Sequence, residues 1–231
     1  MKYAHWMTLA ADEYALILEL LGELDQNDWS RPTGCAPWTV RDVVAHLAGA
    51  AEATASVREQ MRQQRAGKLA QAGRDRMTAV NELQIRERLD LTPTQLSSAL
   101  ADAARRGVAA RAKIPAPVRA PKFRFPAPLG WASLGHLNGA IYTRDAWMHR
   151  IDLCEATGHK PVLTADHDGA IVADVVSEWN LTRRNSLDLT GPAGGRFGAE
   201  APPASYDAVD FCRALAGRGN IDGVEPALAL F

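Results

Sequence analysis

Two histidines and one aspartate are the residues of this chain best placed to do metal chemistry. Asp145 and His149 stand four apart in RDAWMHRIDL, and His46 stands far upstream in WTVRDVVAHLAGA. Both runs read as helix, and residues four apart on a helix share one face. If the two helices pack together, two imidazoles and a carboxylate can meet on one divalent cation. Three protein ligands with a fourth position left open is the pattern of a reactive zinc site rather than a structural one. A plainer reading stands beside it: helical histidines with satisfied ring nitrogens, and an Asp-x-x-x-His pair that is only a local charge pair.

The neighbouring candidates divide by position. His136 lies nine positions before Asp145, so at about 100° per residue it faces the other side of a regular helix. His5, His159 and His167 fall on predicted ends or loops and read as exposed. Asp152 follows His149 by three positions; orienting that imidazole competes with a capping or surface role. Arg144 and Arg150 point off the face of the pair and read as surface or inter-domain ion pairs. Cys35, Cys154 and Cys212 fit neither a disulfide framework nor a CxxC knuckle, so buried structural thiols are expected. Cys35 is the exception to watch, because its loop leads into the His46 helix.

The elements that must position these residues can be read from periodicity and breakers. Residues 3–24 carry Trp6, Leu9, Leu16, Leu20 and Leu24 at helical spacing, and Pro32, Gly34 and Pro37 mark the loop that follows. Thr39 with Asp42 predicts a capped helix start, and the helix extends past Arg58. Residues 60–76, rich in Gln, Arg and Gly, read as a fraying end and connector. A helix over 74–88 comes next. A second capping box, Thr92 with Gln95 and Pro93 at the first position, opens a helix to Ala112. The proline-dense stretch 115–128 is incompatible with helix. The last long helix spans 131–157 and stops at Gly158.

Beyond Gly158 the texture changes. Residues 166–179 read as an amphipathic helix, 185–190 and 196–200 as strands joined by the turn GPAGG, 206–215 as a helix and 227–231 as a closing strand. GPAGG lacks the strand–GxGxxG–helix context of a nucleotide loop. The fold class expected is α+β, mainly α: a four-helix half over residues 1–160 and a small α+β half over 161–231.

Composition narrows the function. Lys and Arg number 26 against 27 Asp and Glu, so no global attraction to nucleic acid or membrane is implied. Residues 105–124 hold seven basic and no acidic side chains among prolines, which reads as a solvated connector before a nucleic-acid contact. No run of some 18 apolar residues could span a bilayer, and acidic residues arrive too early for a secretory leader. A soluble cytoplasmic protein is the expectation.

The runs TGCAPWTVRDVVAHLAG and TRDAWMHRIDLCEATG, followed in order by LDLTGPAGGRF and DAVDFCRALAGR, resemble the mycothiol-dependent maleylpyruvate isomerase family over nearly the whole chain. The resemblance implies a DinB-like four-helix bundle, then a small α+β C-terminal domain. It implies a divalent metal, zinc, on His46, Asp145 and His149, with Asp145 standing where the family pattern has Glu. Asp is one methylene shorter, which makes Asp145 the ligand in doubt. It implies mycothiol or another low-molecular-weight thiol as cosubstrate and a small electrophile as substrate. Arg218, after Gly217, resembles a family position tied to activity. Its forked guanidinium suits a carboxylate, although capping the preceding helix is an equal alternative. Thiol-dependent isomerase or S-transferase is the implied function. A DinB-like metal binder without catalysis and a non-catalytic helical module are the competing readings.

Overall fold

Local capping sets where the site-bearing helices begin. The computed structural model describes residues 1–181, 183, 185–199 and 203–231, and the chain divides into two compact units: Lys2–Lys160, and Pro161–Phe231 with Met1. The first unit runs α1 (Tyr3–Glu23), α2 (Val40–Ala55), α3 (Val57–Ala70), α4 (Arg76–Arg86) and α5 (Pro93–Ala112). It continues through a short helix α6 (Ala116–Arg119), a β1–β2 pair (Lys122–Arg124, Trp131–Ser133), α7 (Leu134–His136) and α8 (Tyr142–Thr157). At the start of α2 the Thr39 hydroxyl accepts from the Asp42 amide, and Asp42 Oδ2 accepts from the Thr39 N–H at 2.9 Å. Thr92 and Gln95 form the same box at α5, where Pro93 sits in the first turn and its missing N–H forfeits no helical bond.

α1, α2, α5 and α8 pack as a four-helix bundle. Ile17, Val44, Leu47, Leu100 and Leu153 close its core, each buried side chain stabilising by about 1.5–3 kcal/mol. α2 and α5 approach closely because Gly107 has no side chain: a Cβ there would stand 2.8 Å from the Ala51 carbonyl oxygen. α3 and α4 form a pair laid against α2. Gly49 permits that contact, since a Cβ on it would lie 2.6 Å from Gln84 Cβ and Cγ.

Several local expectations are corrected. The stretch read as a connector contains α3, separated from α2 by Ser56 in extended conformation (φ −148°, ψ 119°), whose side chain caps the Glu59 amide. Its polar composition hid the helix because only Gln63 and Gly67 of α3 are buried. The proline-dense stretch does hold helix: Pro117 lies within the first turn of α6, where its ring is tolerated. The last helix starts later than expected, because Trp131–Ser133 is strand, paired antiparallel to Lys122–Arg124. Between α7 and α8 the helix widens into a π turn, Leu137–Ile141. Gly158 ends α8 at φ +75°, as its residue type suggested.

The second unit contains a π turn (Ala165–Gly169), α9 (Ala170–Trp179), a three-stranded sheet and α10 (Ala208–Leu215). β3 (Leu187–Thr190) pairs antiparallel with β4 (Gly195–Phe197) across the GPAGG turn, confirming the hairpin. Leu187 and Leu189 are buried while Asp188 and Thr190 are exposed, the alternation of a half-buried strand. β5 (Ala204–Asp207) adds a parallel strand to β3, where the sequence reading placed the start of a helix at Tyr206. Asp207 is instead the N-cap of α10, accepting from the Val209 and Asp210 amides. Trp179 meets Phe211 edge-on at 5.2 Å between centroids. The segment expected as a closing strand is a 3-10 turn, Leu228–Leu230. Glu200, at the end of the predicted second strand, lies outside the described residues. The fold class is mainly α within α+β, as the element pattern predicted, and no helix is long and apolar enough to cross a membrane among the described residues.

Candidate metal centre

α2 and α8 bring His46, Asp145 and His149 together, with ligand atoms all within 4.8 Å of one another. His46 Nε2 lies 3.5 Å from Asp145 Oδ2, and His149 Nε2 lies 3.6 Å from Asp145 Oδ1. Both separations exceed a good hydrogen bond. They resemble the roughly 3.3 Å between two donors that share one tetrahedral ion at about 2.0–2.1 Å. The His46 and His149 rings stand edge to face, 5.1 Å between centroids. His46 and His149 side chains are 5 % and 3 % exposed, whereas Asp145 is 28 % exposed, so the carboxylate faces the accessible side.

Each imidazole is held from behind. His46 Nδ1 lies 2.8 Å from Gln84 Oε1, a buried pair reaching from α4. His149 Nδ1 lies 3.1 Å from Asp152 Oδ2, and the Asp152 side chain is fully buried. An acceptor on Nδ1 fixes the Nδ1–H tautomer and leaves the Nε2 lone pair free. His46 Nε2 is buried and makes no hydrogen bond. An orphaned lone pair facing a carboxylate is what a cation-binding donor set looks like before the cation is considered. The residues present therefore fit a divalent ion.

The surroundings are more apolar and more charged than the sequence reading anticipated. Trp38, at the head of the WTVRDVVAHL run and carrying no metal-ligand signal in the sequence, lies against both rings, at 5.1 Å from His46 and 6.1 Å from His149. Tyr14 on α1 is buried and Tyr142 on α8 is half-buried, both near Asp145; burial pushes the Tyr14 hydroxyl up to about 12, against the lowering field of Arg111. Arg111, 1 % exposed, donates to the Asn138 carbonyl at 2.7 Å and to Thr143 Oγ1 at 3.1 Å, bracing the turn that leads into α8. Cys35 reaches a second cluster with His149 and Asp152, its ligand atom within 4.8 Å of theirs. Cys154 and Cys212 are buried, and burial raises the Cys154 thiol to about 11, as expected for structural cysteines.

Arg144 and Arg150 correct the surface reading, for they are 0 % and 2 % exposed. Arg150 Nε donates to Glu13 Oε1 at 2.6 Å, and Glu13 is wholly buried on α1. Arg218 lies in the second unit, where its backbone N–H donates to the Arg213 carbonyl and Gly217 N–H to that of Ala214. With Gly217 at φ +73°, these bonds make a Schellman stop to α10. Arg218 Nη1 donates to the Ala216 carbonyl at 3.0 Å, so the capping alternative describes contacts that exist.

Comparison with known proteins follows the same lines. The family model described as the mycothiol maleylpyruvate isomerase N-terminal domain matches residues 10–154. A search of curated proteins finds no match. Among solved structures, the crystal structure of a mycothiol-dependent maleylpyruvate isomerase superposes with TM-score 0.62 at 20 % identity, covering 99 % of this chain and 94 % of that one. The crystal structure of a histidine-to-alanine mutant of such an isomerase gives 0.61 at 19 % identity, covering 95 % and 90 %. At these identities the likeness concerns the fold.

Proposed function

Because the chain belongs to the mycothiol maleylpyruvate isomerase family, we propose that it is a metal-dependent thiol enzyme that isomerises a small electrophilic alkene. The ligands are His46 Nε2, His149 Nε2 and the Asp145 carboxylate. The observation that carries this reading is the pair of buried imidazoles, each with Nδ1 occupied and Nε2 turned to one carboxylate. The chemistry supplied at such a centre by zinc or a similar ion is a lowered thiol pKa, so that mycothiol or a related thiol is held as thiolate.

The chain's own residues prepare that chemistry. Gln84 and Asp152 hold the two rings so that no proton occupies either Nε2. Trp38 gives the site an apolar wall, which keeps water from a nucleophilic sulfur. Tyr14 and Tyr142 are hydroxyl donors at physiological pH, as any tyrosine is, and burial raises their pKa further from it. Arg218 is assigned a substrate carboxylate on the chemistry of its guanidinium alone.

With a cis-enedioate such as maleylpyruvate, the thiolate sulfur adds to one alkene carbon, and the π electrons move onto the conjugated carbonyl as an enolate. The former double bond rotates as a single bond. Collapse of the enolate expels the thiolate and leaves the trans alkene, with no net change in atoms or oxidation state. Metal analysis of the purified protein beside His46→Ala and His149→Ala tests the ligands, and equal metal content in all three would overturn them. Thiol-dependent isomerisation of maleylpyruvate, lost in both variants, is the expected activity. Conjugation of a panel of electrophiles without isomerisation would move the reading to S-transfer. Metal binding with neither activity would leave a binder without catalysis.

A further inference from the structure

The bond from His46 to Gln84 does not end at Gln84. Gln84 Nε2 donates to Gln63 Oε1 at 2.8 Å, and Gln63 Nε2 donates to the Gly49 carbonyl at 3.0 Å and to Glu59 Oε1 at 2.9 Å. His46, Gln84 and Gln63 are 4 %, 3 % and 1 % exposed, so these groups have little water to turn to. An amide side chain presents a donor at one end and an acceptor at the other, and the chain of bonds decides which way each one faces.

The far end sets the direction. The Gly49 carbonyl can only accept. Glu59 is held ionised by Arg62, whose guanidinium donates to it at 2.6 and 2.8 Å and draws its carboxyl down to about 2. Two obligate acceptors therefore demand the NH2 of Gln63. Its oxygen must then face Gln84, which meets it with NH2 and turns its own oxygen to His46. Reversing any link would set oxygen against oxygen in a dry interior, where unpaired polar groups are costly.

We infer that Gln84 and Gln63 are positioning residues, a one-way amide relay anchored on Gly49 and Glu59 that keeps the proton of His46 on Nδ1 and its Nε2 free for the metal. The relay itself is a property of the metal-free protein; its effect on metal binding rests on the function proposed above. The anchor lies on the same helix as the histidine, three residues away at Gly49, so the relay leaves α2 through α4 and α3 and returns to it.

The test reads the tautomer and the affinity separately. Long-range 1H–15N correlation spectra of the metal-free protein should show His46 protonated at Nδ1. Gln84→Met, which keeps the shape and removes the acceptor, should shift His46 toward the Nε2–H form and weaken zinc binding by about 10- to 100-fold in a chelator competition. Gln84→Glu, which retains an oxygen for Nδ1–H but sets its second oxygen against Gln63 Oε1, should keep the tautomer while lowering the unfolding midpoint. Gln63→Leu leaves Gln84 in place but frees its amide to turn, so a mixed tautomer and a smaller loss are expected. This variant also serves if Gln84→Met does not fold. An unchanged Nδ1–H signal in both Gln84→Met and Gln63→Leu overturns the inference, as does Gln84→Glu behaving like Gln84→Met. A wild-type protein that binds no zinc yet shows the relay-dependent tautomer would refute the metal reading alone.

Discussion

The two histidines of the site are supported by opposite kinds of structure. His46 leans on a neutral chain of amides drawn from α3 and α4, while His149 leans on a carboxylate three residues along its own helix. The same helix carries a second charged pair, Arg150 with Glu13 of α1, in full burial. The neutral side depends on a helix pair reaching across α2, and the charged side on ionised groups that must all remain paired. One side is therefore sensitive to geometry and the other to charge.

The largest effect should come from breaking the charged side at its deepest point. Glu13→Ala leaves Arg150 buried without this partner and should cost about 3–5 kcal/mol, read as a lowered midpoint in thermal or denaturant unfolding. A loss under 1 kcal/mol would mean that the pair contributes little and that the contrast between the sides is overstated. Next comes Asp152→Asn, which keeps an acceptor for His149 Nδ1 but removes its charge. Zinc affinity should fall by about tenfold, the lower part of the range for such supporting groups. If it does not change, the carboxylate acts on His149 only as Gln84 acts on His46, through geometry. An effect of comparable size is expected from Gly49→Ala on the neutral side. Its Cβ would press on Gln84 at 2.6 Å, so a loss of about 1–3 kcal/mol should accompany a weakened His46–Gln84 contact, visible in the same tautomer spectrum. Wild-type stability with an undisturbed tautomer would show that α4 yields without consequence.

The contrast also explains what could be read from the sequence. The charged side was partly visible, because Asp145, His149 and Asp152 share one helix and their spacing maps onto one face. Capping at Thr39 and Thr92 was visible for the same reason: donor and acceptor lie three residues apart. Gln84 was not, since an amide on a polar helix looks like surface until α4 is placed against α2. Arg150 and Glu13 are 137 residues apart, and charge alone argues for solvent, so their burial needed the tertiary structure. β5 was hidden by Ala, Ser and Asp, which carry no strand signal, and its register comes from pairing with β3.

The wide turn at Leu137–Ile141 has a consequence for insertions and deletions. A π turn accommodates one residue more than a regular helix while the segments on either side keep their direction. His136, nine positions before Asp145, is therefore offset as though by about eight, and the half-turn separation assumed for a regular helix does not apply. The surplus residue also makes the helix unequal along its length toward a missing codon. A one-residue deletion within the turn can be absorbed as ordinary helix, leaving Asp145 and His149 in phase with His46. The same deletion between Asp145 and His149 would turn one of them away by about 100°.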